Sequence, residues 1–551
     1  MSSVSGKELE AIRRCLDKVA KGRRVAAACI YGSRVAGYAR PDSDIDVLVV
    51  LEQYPHAIKY SYMREGGIDI SALLVGRKPL EGDALSASLG EFAVGRLLHV
   101  YEPILNAELL ESIERAYKRR VILEELRNIV DAAGTLSSEL LFPLEYVLFS
   151  KVARRMDLYP SAMYSYYKTY AGSENSRRNL NHALTGYRKA LYDIVSEDRQ
   201  LFSRSNDLLQ ISDKRILVEK GKIRLKLVRG LQEFGSYLVQ TYAGRRIMHL
   251  AIREAESKIR RHAGQKIELP DFMRNPKRAY WRLAEGRLIT ESRDWIDELA
   301  RSKGIENYSV SHKRRLGNVS SRTLLYVVRH ASGEFKIVAK ELAKSKSVKW
   351  AALSLWTAPV KRFKIAPLLR LGTEYKAIRF LRSLGVYTPE IEAVVLDRKL
   401  IVTRFVEGKT LADVISGFIR GRNELRWLRK AGAQIAKIHN LGASLGNIKP
   451  KNIIVAERGL CFTDLDQFIF SPSDQVWDLA QFMSWGLKGT RSSVMARKIA
   501  GEFLQGYVQA SESNANLVKL AKSRRYIESF LPVMIPSVAR ALKTEIRHSA
   551  G

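Results

Sequence analysis

"YGSRVAGYARPDSDIDVLVV" (residues 31–50) closes one apolar strand, "AAACIY", with Gly32-Ser33 and opens another, "DIDVLVV", with two aspartates one residue apart. A strand has a side-chain period of two, so Asp44 and Asp46 share a face. Two neighbouring carboxylates repel and raise each other's pKa unless a cation stands between them. Either this strand end is merely an exposed turn, or the pair holds a metal. A third acid, Asp69 in "GGIDIS", starts another strand some twenty residues on. Three carboxylates are hard oxygen ligands suited to Mg²⁺. Two such ions are what in-line attack on a nucleoside triphosphate calls for, one at the attacking hydroxyl and one at the leaving pyrophosphate. Gly32 lets a phosphate approach the backbone, and Ser33 adds a hydroxyl donor.

The rest of the chain sets the frame. At 551 residues it is too long for one core and predicts about two to four domains. Apolar residues make up 46% and charged residues 27%, as in ordinary globular proteins. Cys15, Cys29 and Cys461 are scattered without a CxxC, which argues against a disulfide scaffold or thiolate zinc site and for a reducing compartment. No apolar run is long enough to span a membrane, and the first residues lack the apolar core of a signal peptide, so the expected location is cytoplasmic. The charge is extreme: 92 Lys and Arg against 58 Asp and Glu, a net +34. Such an excess attracts polyanions through counterion release, making RNA or DNA the natural partner class, although it also serves solubility.

The 31–50 stretch, with its apolar flanks and Asp69, resembles the nucleotidyltransferase fold of polymerase β, the CCA-adding enzymes and the aminoglycoside nucleotidyltransferases. "GSRVAGYARPDSDIDV" is most similar to the minimal nucleotidyltransferases, with Arg34 and Gly37 where that group has Arg and Gly. The resemblance implies that Asp44 and Asp46 bind both metals, that Asp69 completes the catalytic site, and that Gly32, Ser33 and Arg34 hold the nucleotide.

A second constellation follows residue 306. "FKIVAKEL" puts Lys340 on a strand, and "LGTEYKAIRFLRSLGV" reads as an amphipathic helix carrying Glu374, placed to pair it. "LIVTRFVEGKTL" reads as strand, linker and helix. Next come "IAKIHNLGASLGNIKPKNIIV" and "CFTDLDQF". In this order the segments resemble the small atypical kinases of the Bud32/Rio group and the aminoglycoside phosphotransferases. The resemblance implies that Lys340 and Glu374 serve the nucleotide phosphates and that Asn452 and Asp464 are metal ligands. It also exposes a departure. Asn447 stands at the catalytic aspartate's place and Leu445 at the preceding histidine's, and an amide cannot take a proton as a carboxylate does. The loop ahead of Lys340 keeps one glycine, Gly317. A nucleotide-binding pseudokinase, an altered kinase and a bare scaffold all fit that departure.

Other signals are weaker. Residues 126–270 read as mostly helical, with a hairpin about Gly221 and a basic stripe formed by Arg245, Arg246, Arg253, Lys258, Arg260 and Arg261. "RRNLNH" (177–182) matches the Arg-x4-6-His signature of HEPN ribonucleases, yet an ordinary polar helix end accounts for it in so basic a chain. Tyr280 and Trp281 in "MRNPKRAYWR" either stack bases or anchor a linker.

The expected architecture is α+β and multidomain. A nucleotidyltransferase sheet with helices occupies 1–125, a helical basic region 126–270, a linker 271–305, and a two-lobed kinase-like domain 306–551. The expected activity is Mg²⁺-dependent transfer of a nucleoside monophosphate from ATP or another NTP to a hydroxyl of RNA or protein. The alternatives are an atypical kinase and a nucleotide-regulated RNA- or protein-binding protein.

Overall fold

The structure, a computed structural model, describes residues 4–56, 58–199, 201–205, 207–212, 268–291, 294–316, 323–342, 360–422 and 424–551. The hairpin about Gly221, the Arg245–Arg261 stripe and Gly317 lie outside them. The architecture is mixed α+β, and the chain divides into two compact units. One comprises Met1–Asp131 and Leu140–Arg282; the other comprises Ala132–Glu139 and Leu283–Gly551.

The first unit opens with α1 (Gly6–Ala20), started by a Ser5/Glu8 capping box that satisfies two otherwise unpaired backbone donors. Its buried stripe, Ile12, Cys15, Leu16 and Val19, covers one face of a five-stranded mixed sheet. The strands are β1 (Val25–Tyr31), β2 (Ile45–Leu51), β3 (Ile58–Glu65), β4 (Ile68–Gly76) and β5 (Tyr101–Leu105), in the order β3-β4-β2-β1-β5. β1 and β2 are antiparallel, with Tyr31 opposite Asp46. β2 and β4 are parallel, with Ile45 level with Ile70. Ala28, Ile30, Val47, Val49 and Ala72 form the core under α1. The opposite face carries Tyr31 and Asp46.

A four-residue helical turn, Ser33–Ala36, links β1 toward β2. After the long helix Ala107–Ala133, the helices Leu144–Leu158, Met163–Tyr170 and Ser176–Glu197 belong to this unit. Trp281 is 1% exposed and packs on Tyr146, while Tyr280 stacks on Phe149. Both rings thus make the contacts that anchorage requires. Among the described residues, no helix is long and apolar enough to cross a membrane.

In the second unit, a six-stranded sheet contains the antiparallel run Tyr308–Leu316, Thr323–His330, Gly333–Glu341 and Leu400–Arg404. The helix Pro367–Ser383 packs in the same unit. Its pattern reads as amphipathic, yet it is buried on all sides from Arg370 to Ile378. The cover comes from residues 134–139. The Thr135 hydroxyl donates to the carbonyls of Leu368 (3.3 Å) and Leu369 (3.1 Å), and Glu139 pairs with Arg379. Gly372 permits this, because a Cβ there would overlap Thr135 and the Leu136 amide.

Candidate functional site

In the first unit, Gly32, Ser33, Asp44 and Asp46 line one cavity of about 260 Å³. Gly32 has φ +81° and ψ −154°, a conformation open essentially to glycine. A Cβ at Gly32 would overlap the Asp46 carboxylate, so the missing side chain is what lets that carboxylate lie against the turn. Gly32→Ala is therefore expected to lower stability by about 1–3 kcal/mol from backbone strain and to displace Asp46, read out by denaturant unfolding and loss of any divalent-dependent nucleotide binding.

The turn after Gly32 is pinned from the helix Ser176–Glu197. Arg178 donates to the Val35 carbonyl, and the buried Asn179 amide donates to the carbonyls of Ala36 (2.9 Å) and Thr169 (3.1 Å). Asn175 donates to the Gly37 carbonyl (3.3 Å). The "RRNLNH" stretch thus holds the glycine turn in place. Sequence reasoning missed this role.

Two predicted members stand apart from the cavity. The Arg34 guanidinium donates to the Ser43 carbonyl (3.1 Å) and faces Glu8 (3.4 Å), tying the loop to α1. Asp69 is exposed and faces Arg64 across the β3–β4 pair at 3.7 Å, outside the cavity lining. Among the described residues, no group of three or more metal-ligating side chains is assembled. Asp44 and Asp46 nonetheless fit a Mg²⁺ ion, which is commonly held by one or two carboxylates together with substrate phosphates.

The second unit brings all five predicted residues together. Lys340 is buried, bonds Glu374 at 2.8 Å and also pairs with Asp464. Burial alone would lower the Lys340 pKa, but Asp464, Glu374 and Asp466 outweigh it and hold the ammonium above the ordinary lysine value. Burial raises Glu374, against the pull of Lys340. Asp464 takes a left-handed φ of +60°, rare for a residue with a side chain. It receives the amides of Asn447 and Asn452, each at 3.3 Å, and Asn452 also donates to the Asn447 carbonyl at 3.1 Å.

Further residues support this cluster. Asp478, fully buried, accepts from the backbone amides of Leu445 (2.6 Å) and Gly446 (2.7 Å), fixing the loop that presents Asn447. A lone acid in the apolar helix "QVWDLAQFMSW" is a signal that could have found it. Arg370 and Asp466 form a second buried pair beside Lys340.

The family profile described as Polymerase beta, Nucleotidyltransferase matches residues 14–78. A probable bifunctional tRNA threonylcarbamoyladenosine biosynthesis protein of Methanobrevibacter smithii is 30% identical over 29% of this chain and 28% of its own length. The KEOPS complex subunit Bud32 of Pyrococcus abyssi is 26% identical over 25% of this chain and 61% of its own. The chain thus spans about a quarter of the first relative and three-fifths of the second. A solved WaaP chain in complex with acyl carrier protein matches at 15% identity with a TM-score of 0.27, covering 44% of this chain and 98% of that one. The chain carries a polymerase-β-like nucleotidyltransferase region at its N-terminal end and a distantly Bud32/kinase-like region toward its C-terminal end, both at low identity.

Proposed function

We propose that this protein is a Mg²⁺-dependent nucleotidyltransferase that moves a nucleoside monophosphate from an NTP to a hydroxyl acceptor. The observation that carries this reading is the Gly32 turn, shaped so that the Asp46 carboxylate lies against it in the cavity that Asp44 also lines. Asp44 and Asp46 would hold Mg²⁺, which supplies charge neutralisation at the triphosphate and acidifies the attacking hydroxyl. Ser33 offers its hydroxyl to the phosphates beside the side-chain-free Gly32. Asp69 joins the catalytic residues only on leaving Arg64, and Arg34 acts by bracing the loop that presents Asp44.

RNA is the favoured acceptor, with a protein side chain as the alternative. Net charge +34 supports it, as does the tRNA in the name of the Methanobrevibacter relative. Incubation with each labelled NTP, Mg²⁺ and total cellular RNA or protein tests the reading: label is expected in RNA, and label in neither pool overturns it. RNA retention is expected to weaken steeply with salt. Action in the cytoplasm accords with three buried free cysteines.

For the second unit we propose a two-lobed, kinase-like nucleotide-binding module with little phosphoryl transfer. Asn447 favours this, since its amide orients a hydroxyl without accepting the proton. Lys340→Ala is expected to abolish ATP binding at this unit, measured by calorimetry on a chain already carrying Asp44→Asn and Asp46→Asn. Unchanged binding would take Lys340 out of the site, and no binding before the Lys340 change would leave the unit as a scaffold.

A further inference from the structure

We propose that the helical wall of the first unit's cavity binds the base of the donor nucleotide, with the His99 Nε2–H group reading the base edge. This rests on the nucleotidyltransferase reading and adds to it where the nucleotide's selective contacts lie.

His99 lines the same cavity as Asp44 and Asp46, and its Nε2 is buried with no hydrogen-bond partner among the described residues. An unpaired polar atom of that kind costs about 1–3 kcal/mol, so it calls for a ligand. Its chemistry is settled by its other nitrogen. Nδ1 stands 2.7 Å from the hydroxyl of the buried Tyr170, and among the described residues that hydroxyl makes this hydrogen bond alone. Were Nδ1 the donor, the Tyr170 proton would be buried without an acceptor. Tyr170 therefore donates, and the remaining proton sits on Nε2 as a donor, on a ring that lines the cavity. Burial, with Arg155, Lys118 and Arg96 nearby, pushes the His99 pKa well down and keeps the ring neutral.

Two aromatic rings, Tyr166 and Tyr170, lie against the His99 ring. The Tyr166 ring lies 4.6 Å from the His99 ring at 36°, and its hydroxyl is fixed by the Arg155 Nε at 3.0 Å. Tyr164, from the same short helix, also lines the cavity. Aromatic faces beside one in-plane donor suit a planar heterocycle with an acceptor on its edge, whereas phosphates suit the Gly32-Ser33 wall. A nucleoside triphosphate combines both chemistries in one molecule.

The test measures binding of each NTP and of tripolyphosphate, which lacks a base, with Mg²⁺ present. The proteins are the full chain carrying Lys340→Ala, so that binding reports the first unit, and its His99→Leu, His99→Gln and Tyr170→Phe variants, each checked for an intact melting transition. Loss of one hydrogen bond with its stacking partner is expected to weaken at least one NTP about tenfold in His99→Leu. Tripolyphosphate is expected to bind equally to all. His99→Gln, which keeps a donor, is expected to recover most of the loss, and Tyr170→Phe, which frees the tautomer, to weaken NTP by a smaller factor. Equal weakening of NTP and tripolyphosphate, or no weakening of either, overturns the base site while leaving the nucleotidyltransferase reading intact. An effect confined to the acceptor's KM also overturns it. If the unmodified chain binds neither ligand, both proposals fall.

Discussion

Asp44→Asn and Asp46→Asn together are expected to cut nucleotidyl transfer by about 10³-fold or more while leaving the fold standing. Loss of a single preorganised charge-stabilising group costs many enzymes about 10²–10³ in rate, and here both carboxylates that would carry the metal are removed. Stability is expected to hold or rise without Mg²⁺, because the change replaces two like charges at adjacent same-face positions by neutral amides of the same shape. The measurement is label transfer beside a thermal melt with and without Mg²⁺. The Gly32 turn sharpens the result: asparagine fits where aspartate did, so lost activity would report lost charge and not a collapsed loop. Transfer at the unmodified rate would remove Asp44 and Asp46 from the chemistry altogether.

Asn447→Asp is expected to raise phosphoryl transfer by about 10²–10⁴, the usual worth of a general base, provided the unit binds ATP. The geometry adds a condition. The Asn447 amide donates to Asp464 at 3.3 Å, so a carboxylate there would face a carboxylate. Without a divalent ion the pair repels, and the introduced group's folded pKa rises above its unfolded value of about 3.9. A carboxylate shifted upward destabilises the fold above that unfolded pKa, and the penalty fades as pH falls. The variant is therefore expected to melt below the parent at neutral pH without Mg²⁺, to recover on acidification, and to recover at neutral pH with Mg²⁺ and ATP. No gain in phosphorylation would favour a binding or scaffold role. Strong kinase activity in the unmodified chain, lost on Lys340→Ala and untouched by Asp44→Asn, would instead make the kinase a main activity.

The parts legible in the sequence are those whose partners are local or follow in a fixed order. Gly32, Ser33, Asp44 and Asp46 lie on two paired strands and the turn between them, so spacing alone brings them together. Lys340, Glu374, Asn452 and Asp464 were legible through the order of their segments, and the structure converges them. Asn179 and Arg178 were not, since they bond backbone carbonyls, and a carbonyl carries no residue identity to match. The burial of the helix Pro367–Ser383 was hidden for a related reason. Periodicity reports what a segment offers, and here one face is covered by residues far earlier in the chain.

That distant cover makes the second unit discontinuous in the chain, with a consequence for biogenesis. Ala132–Glu139 leaves the ribosome more than two hundred residues before the helix it braces, a gap of tens of seconds at about 5–20 residues per second. Through that interval Leu136 has no Gly372 to meet, and the helix bearing Glu374 cannot be fully seated until Leu368 and Leu369 have been translated. Protease nicking between 140 and 282 would leave this contact to be held without a peptide link. A gene fragment starting at Leu283 would encode the Lys340 strand and its partner helix without the brace. Such a fragment cannot be swapped between proteins as a self-contained cassette: the kinase-like unit inherits eight residues from the other side of its own gene.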